Sequence, residues 1–214
     1  MNTSRKMHPL AIRMMHWTNA IAMIIMIMSG WKIYNDEVIF GFLHFPDAVT
    51  LGPWAQHGLQ WHFFGMWILA LNGLAYLAYG FLSGRFRRLL WPIRPREVIG
   101  EALAALRFRL PHADLTQYNA VQKTLYVGVM TVIVLQVITG LAIWKPVQFA
   151  GLTALFGGFQ GARLVHFFGM TAICLFLVVH VALALLVPRT LLAMFTGGPR
   201  LDEAAAAPTH ASHS

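Results

Sequence analysis

Residues 164–188, LVHFFGMTAICLFLVVHVALALLVP, decide the fold. The run suffices for a membrane span, because about 20 apolar residues in a helix cross about 30 Å of hydrocarbon. Two histidines, His166 and His180, interrupt it. Ionisable groups at membrane depth are costly, and they mark function unless paired for packing. The two lie 14 residues apart, which at 100° per residue is about 40° short of four turns. They therefore share one helix face, separated by about 21 Å of rise.

Three more charge-poor windows lie upstream: Met14 to Trp31, a long stretch from Ala48 to Gly84, and Thr124 to Trp144. Pro46 and Pro53 keep the start of the second window a loop, so its helix is predicted near Leu59 to Leu82. Composition agrees with four spans: 57% of the 214 residues are hydrophobic and 11% charged, with mean hydropathy +0.60. The expected fold is an all-α integral membrane four-helix bundle over residues 8–196, with no separate soluble domain. Between Pro95 and Leu110, apolar residues beside charges predict a short interfacial helix. Residues 197–214 turn to Gly, Pro, Ala, Ser, Thr and His, including His210 and His213. That composition predicts a disordered tail.

The net charge of +8 reads as an orientation signal, not as a nucleic-acid footprint. Thirteen of the 16 basic residues fall on one side: Arg5, Lys6 and Arg13, the loop from Arg85 to Arg109, and Lys123, Arg189 and Arg200. The other side holds Lys32, Lys145 and Arg163 beside Asp36, Glu37 and Asp47. By the positive-inside rule both termini are expected in the cytoplasm, in a bacterial inner membrane. Arg5 and Lys6 before an apolar run resemble a signal peptide, but no small-residue cleavage site follows, so the first span is expected to stay. The lone Cys174 excludes an intrachain disulfide, a Cys-x-x-Cys metal site and covalent haem attachment.

Four histidines fall within the spans: His16, His62, His166 and His180. The topology places His16 and His180 together near the inner side, and His62 and His166 together near the outer side. The segment His62-Phe63-Phe64-Gly65-Met66 recurs unchanged as His166-Phe167-Phe168-Gly169-Met170, on two helices that run the same way. Gly65 and Gly169 lie one turn past their histidines, where they would leave room for a planar macrocycle. Arg13 and Arg163 each stand three residues before a ligand candidate, on its face, where a guanidinium reaches an anionic substituent.

Two imidazoles from facing helices suit the axial positions of an iron porphyrin better than a closed zinc site, which takes four ligands. Iron held at both axial positions has none open for substrate, so such centres transfer electrons. The methionines of the first span are read as packing or lipid-facing residues, and Trp17, Trp31, Trp61, Trp91 and Trp144 as an aromatic belt. His8, His44, His57 and His112 are not expected to be ligands. Gln136 and Asn72 are read as glue between helices.

Arg13-Met14-Met15-His16-Trp17, His62, Arg163-Leu164-Val165-His166 and His180 together resemble the bacterial cytochrome b(561) family. That family includes the nickel-iron hydrogenase cytochrome b subunits, and the similarity is greatest to thiosulfate-reductase-type cytochrome b subunits. The resemblance implies two non-covalent b haems and electron exchange between the quinone pool and a partner oxidoreductase. It implies a periplasmic redox subunit as partner, such as a molybdopterin enzyme of the sulfite-oxidase type. Two alternatives remain at this level: a stand-alone superoxide:ubiquinone oxidoreductase, and a haem-free transporter using the histidines as a proton relay. Oligomeric state is not legible.

Overall fold

The computed structural model describes residues 8–90, 94–106 and 120–198. Leu10–Asp36 form α1, Ala55–Leu82 α2, Arg85–Leu90 α3, Pro95–Leu106 α4, Ala120–Trp144 α5, Ala150–Leu155 α6, Phe159–Leu186 α7 and Pro188–Thr196 α8. Among the described residues there is no strand. Four helices, α1, α2, α5 and α7, are long and apolar enough to cross a membrane. The four predicted spans lie within them, apart from the last two residues of the fourth. The helices extend into the charged flanks, so that Arg13, Lys32 and Asp36 lie on α1, because backbone hydrogen bonding continues past the hydrocarbon edge. At the C-terminal end, α7 stops at Leu186, two residues short of Pro188, whose missing N–H cannot continue the ladder. Pro188 instead opens α8 at its first turn.

The interfacial helix expected from Pro95 is α4, ending at Leu106. Arg5, Lys6, Trp91, Arg107, Arg109, His112 and the tail with Arg200, His210 and His213 lie outside the described residues.

The chain makes two antiparallel hairpins, α1 with α2 and α5 with α7. Their centres are built on small residues. Ala22, Ser29, Thr139, Ala142 and Ala162 are completely buried, while Leu74, Leu175 and Val178 are about two-thirds exposed on the lipid-facing side. Without a hydrophobic drive between helices in lipid, close approach of small side chains does the packing.

The hairpins correspond residue by residue. Adding 110 to an α1 number gives its α5 counterpart, and adding 104 to an α2 number gives its α7 counterpart. Under that rule Tyr34 against Phe167, ring centres 5.1 Å apart, matches Trp144 against Phe63 at 5.0 Å. The correspondence is that of a parallel repeat about an axis along the helices. It extends beyond the five-residue identity seen in sequence, because pairs such as Ser29 with Thr139 and Tyr34 with Trp144 share a role without sharing a residue.

Candidate functional site

At the end of the bundle away from the basic loops, the rings of His62 on α2 and His166 on α7 face each other with centres 6.5 Å apart. Each is oriented by a hydroxyl of its hairpin partner helix. Ser29 Oγ lies 3.0 Å from His62 Nδ1, and Thr139 Oγ1 lies 2.9 Å from His166 Nδ1. Both hydroxyls donate to carbonyls of their own helices, Ser29 to Ile25 at 2.6 Å and Thr139 to Leu135 at 2.8 Å. With its single proton committed, each hydroxyl accepts from Nδ1–H, which leaves Nε2 of each ring as the lone-pair nitrogen. Gly30 and Gly140 lie against the rings, where a Cβ would stand in ordinary contact at 3.4 and 3.5 Å from the imidazole Cε1 atoms.

At the basic end, His16 on α1 and His180 on α7 have ring centres 6.0 Å apart. Trp17 meets His16 edge-on at 5.4 Å, and Phe176 stacks on His180 at 5.6 Å. Below them α8 lies across the start of α1: Arg13 donates to the Phe195 carbonyl, Trp17 Nε1 to that of Met194 at 3.4 Å, and the His8 amide to that of Gly197 at 2.9 Å. His8 Nδ1 and Arg13 Nε are buried without partners among the described residues. Burial first, then the charges of Arg85, His16 and Arg13, hold His8 below its ordinary pKa. The Arg13 guanidinium, with the neutral His8 ring beside it as a hydrogen-bonding group, is suited to a carboxylate.

The donor set fits haem. Among the described residues no group of three or more metal-ligating side chains gathers, so the histidines come as two facing pairs. Ring centres 6.0 and 6.5 Å apart leave space for one ion between the rings of each pair, so His16 with His180 and His62 with His166 would hold the iron of a haem. Carboxylates of such a group would find Arg13 and His8 at the basic end.

Other candidates occupy places the sequence did not indicate. Gly65 and Gly169 face their own hairpin partners: a Cβ at Gly65 would come 3.0 Å from Ile25, and one at Gly169 2.5 Å from Gln136. They allow close helix approach, and the space expected for a macrocycle there is filled by Met26 and Gln136. Arg163 bonds Gln160 at 2.9 Å and pairs with Glu37 at 3.4 Å, which ties α7 to the loop after α1. Asn72 bonds the Met15 carbonyl and Asn19, each at 2.7 Å, as expected of glue. His57 packs against Trp54, the residue that precedes α2. Sequence reasoning passed over Ser29 and Thr139, and set His8 aside as a ligand. The first two carried a signal, since each hydroxyl residue precedes a glycine in an apolar span.

A family model described as prokaryotic cytochrome b561 matches residues 7–197. The chain belongs to that family. As a cytochrome b561 it is a multi-pass bacterial membrane protein that binds haem b and transfers electrons. It is 46% identical over 190 residues to the YedZ1 chain of Azospira oryzae, named for a proposed role as protein-methionine-sulfoxide reductase subunit; the match covers 89% of this chain and 96% of that one. It is 20% identical over 196 residues to a proposed Ni/Fe-hydrogenase B-type cytochrome subunit of Bradyrhizobium diazoefficiens, covering 79% and 73% of the two chains. No solved structure matches.

Proposed function

We propose that this cytochrome b carries two b haems, one between His62 and His166 and one between His16 and His180, and passes electrons from the quinone pool to a partner reductase. The observation that carries the reading is the two facing imidazole pairs, one at each end of the bundle. The basic end is cytoplasmic by the positive-inside rule, which makes the opposite end periplasmic and the membrane the inner one. Electrons then run outward, from quinol to a periplasmic redox subunit. The relative named for protein-methionine-sulfoxide reductase supports a reductase as that subunit, and a molybdopterin enzyme is the class to test first.

Haem supplies one-electron transfer when bound; the chain holds, orients and insulates it. Ser29 and Thr139 fix the tautomers of His62 and His166. Arg13 would neutralise a carboxylate at the basic end with the uncharged His8 beside it, and the lipid-facing aliphatic shell excludes water. A stand-alone superoxide oxidase would draw its anionic substrate with cations on the outer face. Lys32 is engaged with Asp47 at 2.8 Å, Arg163 with Glu37, and Lys145 lies over Trp144, which favours the subunit reading.

The test is a dithionite-reduced minus oxidised spectrum with haem quantitation on purified protein. Two b haems per chain are expected, with His16→Ala and His180→Ala removing one and His62→Ala and His166→Ala removing the other. Full haem content in all four variants would sink the assignment of ligands.

A further inference from the structure

One of the places where the repeat relating the hairpins breaks opens a groove. On α1 and α2, Asn72 clasps Met15 and Asn19 and draws the helices together. The counterparts of these three on α5 and α7 are Phe176, Leu125 and Val129, which cannot form that clasp. Two neighbours also shrink: Thr18 corresponds to Gly128, and Ile68 to Ala172. The result is a cavity of about 300 Å³ between α5 and α7, lined by Thr124, Leu125, Gly128, Val129, Ala172 and Phe176 among others.

Its position specifies what it can take. Thr124 and Gly128 stand two residues either side of Tyr126, about 160° round the helix from the side chain that meets Tyr76 of α2. The groove therefore opens away from the bundle interior, toward lipid, in the half of the bundle nearer the basic end. Its wall Phe176 stacks on His180. Its lining is apolar except for Thr124, whose hydroxyl donates to the Ala120 carbonyl at 2.9 Å and is left to accept. One turn beyond, Glu101 of α4 accepts from the Val121 amide at 3.1 Å, which puts a carboxylate at the aqueous end of α5.

We infer that this groove binds the quinol headgroup, with Thr124 accepting from a quinol hydroxyl, Phe176 bridging to His180, and Glu101 receiving the protons. The inference rests on the electron-transfer reading above. A lipid-soluble aromatic diol matches an apolar, laterally open groove with one acceptor, an aromatic wall toward a redox centre and a carboxylate toward water. Quinol gives quinone with two electrons and two protons. Both O–H bonds break, the protons leave through Glu101 to water at the basic end, and the electrons pass singly by way of His180 toward the oxidised partner reductase.

Gly128→Leu tests the groove, because a Cβ at Gly128 meets nothing within 4 Å and the larger side chain enters the cavity. Gly73→Leu, on α2 and equally unobstructed, is the control. The haem-loaded protein in lipid nanodiscs is reduced with a short-tailed ubiquinol. Gly128→Leu is expected to raise the quinol KM about ten-fold with dithionite-reducible haem unchanged, and Gly73→Leu to leave both unchanged. A photoreactive ubiquinone is expected to label peptides containing Thr124 to Val132 or Ala172 to Phe176, and excess quinone to suppress the labelling. An unchanged KM for Gly128→Leu overturns the proposal, as does labelling elsewhere or displacement of the probe by phospholipid alone, which would make the groove an acyl-chain site. Loss of haem from the unmutated protein would instead strike the electron-transfer reading, and the labelling would still decide the groove.

Discussion

The α1/α2 hairpin and the α5/α7 hairpin repeat one pattern with different polar insertions. At the end away from the basic loops they agree: a hydroxyl residue followed by glycine holds a histidine in each, and the two histidines meet between the hairpins. Toward the basic end they diverge. His16 of α1 and His180 of α7 correspond to Tyr126 of α5 and Tyr76 of α2, and those tyrosine hydroxyls meet each other as the two imidazoles do. One copy of a two-fold arrangement thus brings two imidazoles together, and the other brings two phenol hydroxyls together. The symmetric end brings its histidines together across the axis, and the asymmetric end brings them together on one side of it.

If the outer site is shared evenly, Ser29→Ala and Thr139→Val should weaken it alike. Partners that orient a ligating histidine are worth about 10- to 100-fold in affinity, so each variant should release one haem to an excess acceptor protein faster by that order. A Thr139 effect without a Ser29 effect would show that the hairpins do not hold their histidines equivalently. Asn72→Leu comes next. It removes two hydrogen bonds within the first hairpin, each worth about 0.6 kcal/mol in a membrane, and should lower the thermal midpoint while leaving haem content unchanged. The tyrosine pair follows: Tyr76→Phe or Tyr126→Phe should cost about 0.6 kcal/mol with haem content unchanged. Loss of a haem from either variant would place the tyrosines in a site with the histidines and erase the contrast between the two sides.

The spans and the histidine pairs were legible because their signals are one-dimensional. Apolar length fixes the number of crossings, and alternating helix direction fixes which histidines share a depth. The hydroxyl partners were harder to see, because Ser29 and Thr139 are ordinary membrane-helix residues until the neighbouring helix brings a ring to within 3.0 Å. The glycines misled for a related reason. Gly65 and Gly169 lie on the histidine's side of the helix in projection, but the nearest neighbour on that side is the other helix of the hairpin. Arg163 was legible as a cation near His166 and not as the partner of Glu37, which is 126 residues away in sequence. The repeat itself stayed mostly hidden because Met26 against Gln136, or Asn72 against Phe176, share position and not chemistry.

The smallest expected effect lies where the hairpins differ at the end opposite the basic loops. Lys32 packs its stem over Gly58, where a Cβ would come 3.1 Å from it, and its ammonium reaches Asp47 in the loop. The counterparts of Lys32 and Gly58 are Ala142 and Ala162, both buried and uncharged. The hydrogen bond from Lys32, then its charge, hold Asp47 below its ordinary carboxylate pKa. The sign follows: stability linked to this group is present above the ordinary carboxylate range and is lost as pH falls through the lowered value. Asp47 is fully exposed, so solvent screening keeps the effect small. Asp47→Asn should therefore shift the thermal midpoint slightly at neutral pH, and the difference from the unmutated protein should vanish in acid. A difference that persists in acid would assign the Asp47 effect to loop geometry, and the ion pair would then play no part in distinguishing the first hairpin from the second.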